Sequence, residues 1–79
     1  MDDTRTYSVI LEPAEEGGFI VHVPALPEVV TEGDSEAEAL AMAKDAIELV
    51  LASRKERGEP IPVEVDKPKV REVTVAIAA

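Results

Sequence analysis

Apolar and polar positions alternate, then change period, then alternate again along this chain. Residues 5–12 predict a strand: Tyr7, Val9 and Leu11 point one way and Thr6, Ser8, Ile10 and Glu12 the other. Pro13 to Gly18 (PAEEGG) is turn chemistry. Residues 19–23, FIVHV, predict a second strand with Phe19, Val21 and Val23 on one face, and the short connection makes the pair an antiparallel hairpin. Pro24-Ala25-Leu26-Pro27 interrupts the ladder, because proline has no N–H to give it. Residues 29–32 predict a third, shorter strand.

The period then shifts to that of a helix over 36–57. Leu40, Ala43, Ile47, Val50 and Arg54 form one row, and Ala39, Met42, Ala46 and Leu49 an adjacent one, giving a stripe wide enough to lie across a sheet. Ser35 and Glu38 have capping-box spacing, and Glu36 and Glu38 sit at the positive end of the helix dipole. Arg54, Lys55 and Arg57 suit the negative end, Gly58 the C′ position, and Pro60 and Pro62 stop continuation. Residues 70–77, VREVTVAI, alternate once more, with Val73, Val75 and Ile77 on one face. The predicted order is β-β-β-α-β, an α+β single domain over residues 1–79, with one helix packed on a four-stranded mixed sheet.

A chain of 79 residues buries little core, and without cysteine neither disulfides nor thiolate-held metals can add stability. Oligomerisation is the remaining route, so a homodimer or higher oligomer is expected. The net charge is −9, and it is lopsided: residues 1–40 hold ten acids and one base, while residues 41–79 hold seven of each. Such a field repels nucleic acid and anionic membrane and attracts basic partners. The acidic opening Met1-Asp2-Asp3 is unlike a secretory leader, and no apolar stretch approaches the ~20 residues that span a bilayer, so the expected location is the cytoplasm.

Candidate chemistry is sparse. His22, the single histidine, lies on the face opposite Phe19, Val21 and Val23, with no motif to orient it as a general base; an orphan hydrolase using it is only a remote alternative. Glu12, Glu15 and Glu16 lack the spacing of a hard-cation loop and suit a solvated hairpin tip. Gly17-Gly18 precedes a strand, where a phosphate cradle precedes a helix. Lys67, Lys69 and Arg71 form a basic cluster without a neighbouring aromatic, which argues against nucleic-acid binding. We therefore expect no catalytic residues, no metal and no cofactor.

Tyr7, the hairpin string EEGGFIVHVPALP, the helix start TEGDSEAEAL, and AIELVL before RGEPIP together resemble the short, single-domain form of the HicB antitoxin family. The resemblance implies a degraded, RNase H-like partial fold. It also implies a non-enzymatic antitoxin of a type II toxin–antitoxin system, one that masks a small basic ribonuclease of the HicA type. The exposed acids Glu28, Glu32, Asp34, Glu36 and Glu38 would then meet the basic partner. Longer members carry a C-terminal DNA-binding domain. This sequence ends at Ala79, and operator binding is not expected of it. The alternative is a solitary homo-oligomeric interaction module with no toxin partner.

Overall fold

The computed structural model describes residues 4–78. Three short strands, β1 (Ile10–Pro13), β2 (Phe19–His22) and β3 (Val30–Gly33), precede one long helix, α1 (Glu36–Glu56). The strands form an antiparallel sheet in the order β1-β2-β3. Its register sets Ile10 opposite His22 and Phe19 opposite Gly33.

The helix covers one face of the sheet and packs chiefly on β3 and β2. Ser35 is its N-cap, and its hydroxyl accepts from the Glu38 N–H at 3.1 Å. At the other end the Glu59 N–H reaches the Arg54 carbonyl and the Gly58 N–H that of Lys55, the paired bonds of a Schellman ending.

Two small cores result. In one, Val21, Ala39 and Ala43 are buried with Val9, Leu11 and Phe19 packed around them. In the other, Val23, Leu26 and Val29 meet Tyr7, Val9, Ala46, Ile47, Val50 and Leu51. Leu26, at the centre of the proline-bracketed turn, is wholly buried. The turn folds tightly enough to drive it inward, through bonds from the Leu26 N–H to the Val23 carbonyl and from the Val29 N–H to that of Leu26, both 2.9 Å. Among the described residues no polar or charged side chain is buried.

Helix and sheet meet through glycine. A Cβ on Gly33 would lie 2.4 Å from the Ala39 nitrogen and 2.6 Å from its Cα, and one on Gly18 would lie 2.5 Å from the Gly33 carbonyl oxygen. Hairpin tip, strand end and first helical turn are thus in backbone contact.

Two expectations are corrected. The sheet has three strands and is wholly antiparallel, not four-stranded and mixed: residues 70–77 join no ladder among the described residues. The cause is the path after the helix. The Tyr7 hydroxyl donates to the Pro62 carbonyl at 2.5 Å, and Glu64 accepts from both the backbone N–H and the hydroxyl of Ser8, at 2.8 and 2.7 Å. This clamp holds residues 62–64 beside Tyr7 and Ser8, ahead of β1, and residues 70–77 continue outward, giving a molecule 57 Å long but only 27 by 21 Å across. Secondly, the apolar stripe of α1 is wider than its contact with the sheet, leaving Met42 44% and Leu49 72% exposed.

Gly33→Ala should cost about 1–3 kcal/mol, as overpacking against a backbone that cannot yield. Leu26→Ala should cost about 2–5 kcal/mol through the cavity it leaves. Urea unfolding followed by circular dichroism measures both.

Candidate protein-interaction site

All five acids singled out in the sequence are exposed, but the fold does not bring them together as one group. Glu32, Asp34 and Glu38 line an open cleft of about 700 Å³, between the hairpin tip and the start of α1. The contact of Gly18 with Gly33 swings the tip over, so that Glu15 and Glu16 line the same cleft. Phe19, Ile20 and Met42 supply apolar surface among the carboxylates. Glu15 and Glu16 read in the sequence as a solvated tip. Their place beside Glu32 and Asp34 is a tertiary fact, to which only the paired glycines gave a clue.

Glu36 is exposed in the first helical turn and does not line the cleft. Glu28 is committed elsewhere. Its Oε2 accepts from Arg54 Nη2 at 2.5 Å and from Nε at 3.1 Å, tying the proline-bracketed turn to the last turns of α1. The Arg54 hydrogen bond is the main cause that holds the Glu28 carboxyl below its ordinary value of 4.5. At Glu64 the Ser8 hydroxyl, then the Ser8 backbone N–H, act in the same direction.

His22 Nε2 lies 3.0 Å from Glu12 Oε2 on the sheet face away from the helix, with both side chains largely in solvent. The Ser8 hydroxyl is taken by Glu64. Among the described residues no group of three or more His, Cys, Asp or Glu is placed to hold a metal ion. Nor is any helix of the described residues long and apolar enough to cross a membrane. The cleft offers a dense negative field over apolar side chains, which suits recognition of a basic protein surface.

An acidic α+β domain with an open, carboxylate-lined cleft is thus the class that fold and site define. Residues 6–79 match the family model described as "HicB_like antitoxin of bacterial toxin-antitoxin system", and the chain belongs to that family. It is 47% identical over 57 residues to Antitoxin HicB 1 of Photorhabdus laumondii, an alignment covering 72% of this chain and 37% of that relative. It is 42% identical over 57 residues to Antitoxin HicB of Escherichia coli K12, covering 72% of this chain and 41% of the relative. A UPF0150 protein of Thermoplasma acidophilum is 39% identical over 69 residues, covering 87% of this chain and 94% of its own length. The chain thus spans well under half of the two named antitoxins and nearly all of the archaeal protein.

The Glu28–Arg54 bond contributes above the ordinary carboxylate value and is lost as pH falls through the lowered one, because the folded carboxyl is the stronger acid. Arg54→Ala should raise the Glu28 titration, followed by carboxyl-carbon NMR, toward the ordinary carboxylate range, with the Glu28 backbone N–H still favouring the ionised form. The Glu64 titration should stay low in that variant, since its partner is Ser8.

Proposed function

We propose that this chain is the antitoxin of a type II toxin–antitoxin pair and neutralises a small basic ribonuclease of the HicA type by covering its RNA-binding face. The observation that carries the reading is the acidic cleft, with Glu15, Glu16, Glu32, Asp34 and Glu38 around Phe19, Ile20 and Met42, on a member of the HicB-like family. Carboxylates there stand in for RNA phosphates, and the apolar residues among them give the contact an uncharged centre. Glu36 extends the acidic rim along the helix, while Glu28, already paired with Arg54, adds least. The chain acts by binding and catalyses no reaction, consistent with relatives named as antitoxins. Its place of action is the cytoplasm, where such a ribonuclease meets RNA. The cleft's charge disfavours DNA contact by this domain. The domain itself is the RNase H-like partial fold, with its fourth strand unpaired in the single chain. Self-association into a homodimer or higher oligomer accompanies this function, and stands alone as the second reading if no toxin exists. Four exposed valines and isoleucines between Val70 and Ile77 favour it.

Affinity capture from the source lysate, washed at low and then high salt, tests the masking. A small basic ribonuclease released by salt is the expected result, and recovery of the bait alone would refute it. With that ribonuclease in hand, Glu15→Lys, Glu32→Lys and Asp34→Lys combined should slow association at least about tenfold at low salt and flatten its salt dependence. An unchanged rate would remove the cleft from the interface.

A further inference from the structure

Two segments carry a strand's alternation yet lie in no ladder of the described residues. One is residues 5–9, which run beyond β1 past the point where Pro24 ends β2. The other is 70–77, where Val70, Val73, Val75 and Ile77 are 74–93% exposed. Beside the first segment, on the helix side, an open cleft of about 540 Å³ runs along the outer edge of the sheet. Tyr7, Val9, Leu40, Ala43, Ile47 and Leu51 give it a largely apolar lining. α1 packs on β3 and β2, and on this side of it Leu40, Ala43, Ile47 and Leu51 line the cleft with no strand outside residues 5–9 to cover them. The site has the shape of a missing strand.

The chain's own tail cannot supply that strand without doubling back. Glu64 is fixed at Ser8. Running on parallel to β1 from that register, position 70 falls opposite Ala14, beyond the strand's end. Running antiparallel, it falls ahead of Thr4. In either direction residues 70–77 begin six residues, about 20 Å at ~3.3 Å per residue, beyond the Ser8 clamp and so run past the strand. The tail leaves past Pro24 and Ala25, which share a shallow depression with Val63 to Pro68.

We propose that residues 70–77 are an intermolecular strand, which adds to residues 6–13 of a second copy of this chain and lays Val73, Val75 and Ile77 into the apolar cleft of that copy. The two segments match in length, at eight residues each. Pattern selects the occupant: the tail is a strand-patterned segment of this chain with bare apolar side chains, and the receiving edge is a strand-patterned segment with an open apolar cleft beside it. Charge does not oppose the pairing, since Glu64, Asp66 and Glu72 balance Lys67, Lys69 and Arg71 in the tail. Strand addition also covers an otherwise open edge and three bare apolar side chains at once. The edge used is β1, on the far side of the sheet from β3, so the acidic cleft stays open to another partner.

The inference rests on the self-association reading, and native mass measurement of the full chain separates the two. The unaltered protein at about 100 µM should show at least twice 8.5 kDa. Val73→Asp with Val75→Asp should raise the dissociation constant at least about hundredfold, with the helical dichroism unchanged because both positions are exposed. The chain has no cysteine, so a copy carrying Thr6→Cys mixed with one carrying Val70→Cys, which the parallel register sets opposite each other, should couple through a short bis-maleimide. A monomeric unaltered chain would overturn self-association and strand assignment together. An oligomer that survives the double aspartate substitution, with no link between positions 6 and 70, would overturn the strand assignment alone.

Discussion

The architecture hangs on a point where three backbones touch. Gly33 ends β3 against the Ala39 backbone, and Gly18 begins the return of the hairpin against the Gly33 carbonyl. No side chain fits between them. That contact sets how close α1 lies to the sheet, and the small side chains of Ala39 and Ala43 keep it close for a further turn. It also sets how far the hairpin tip leans toward the helix start. The acidic cleft is a by-product of this closeness, since the carboxylates of two distant turns converge because the glycines beneath them do.

Near the other end of the helix, side chains and not backbone make the connection. Leu26 is driven into the second core by its tight turn, and Arg54 reaches from α1 to hold Glu28 beside it. The clamp of Tyr7 and Ser8 on Pro62 and Glu64 fastens the returning chain near the same end. The molecule thus has one end held by shape, bearing the acidic cleft, and one held by polar bonds, from which the tail departs.

Local features were legible in the sequence. The spacing of Ser35 and Glu38 announced the cap, since a side chain that accepts from the third N–H depends on nothing remote. The sheet-and-helix layering followed from the change of period. What could not be read was whatever depended on a distant partner. Alternation in 70–77 marks a strand but names no neighbour, and the neighbour available within the chain is put out of register by Glu64. Met42 and Leu49 looked like core because a periodic stripe shows which residues share a face but not how wide a sheet lies under it. Glu28 ranked equally with the other acids until its fold brought Arg54 across 26 positions to meet it. Glu15 and Glu16 carried no mark of a site, since the cleft exists only once the hairpin is packed.

All charge lies outside the two cores, and among the described residues those cores contain no polar side chain. The cleft's carboxylates and the side chains that make the domain fold are therefore separate sets of positions, although Phe19 and Gly33 serve both fold and cleft. An acid on the cleft can be exchanged for another residue without leaving a buried group unsatisfied. A lineage built on this scaffold is free to change the charge of its cleft, substitution by substitution, with each intermediate still folded.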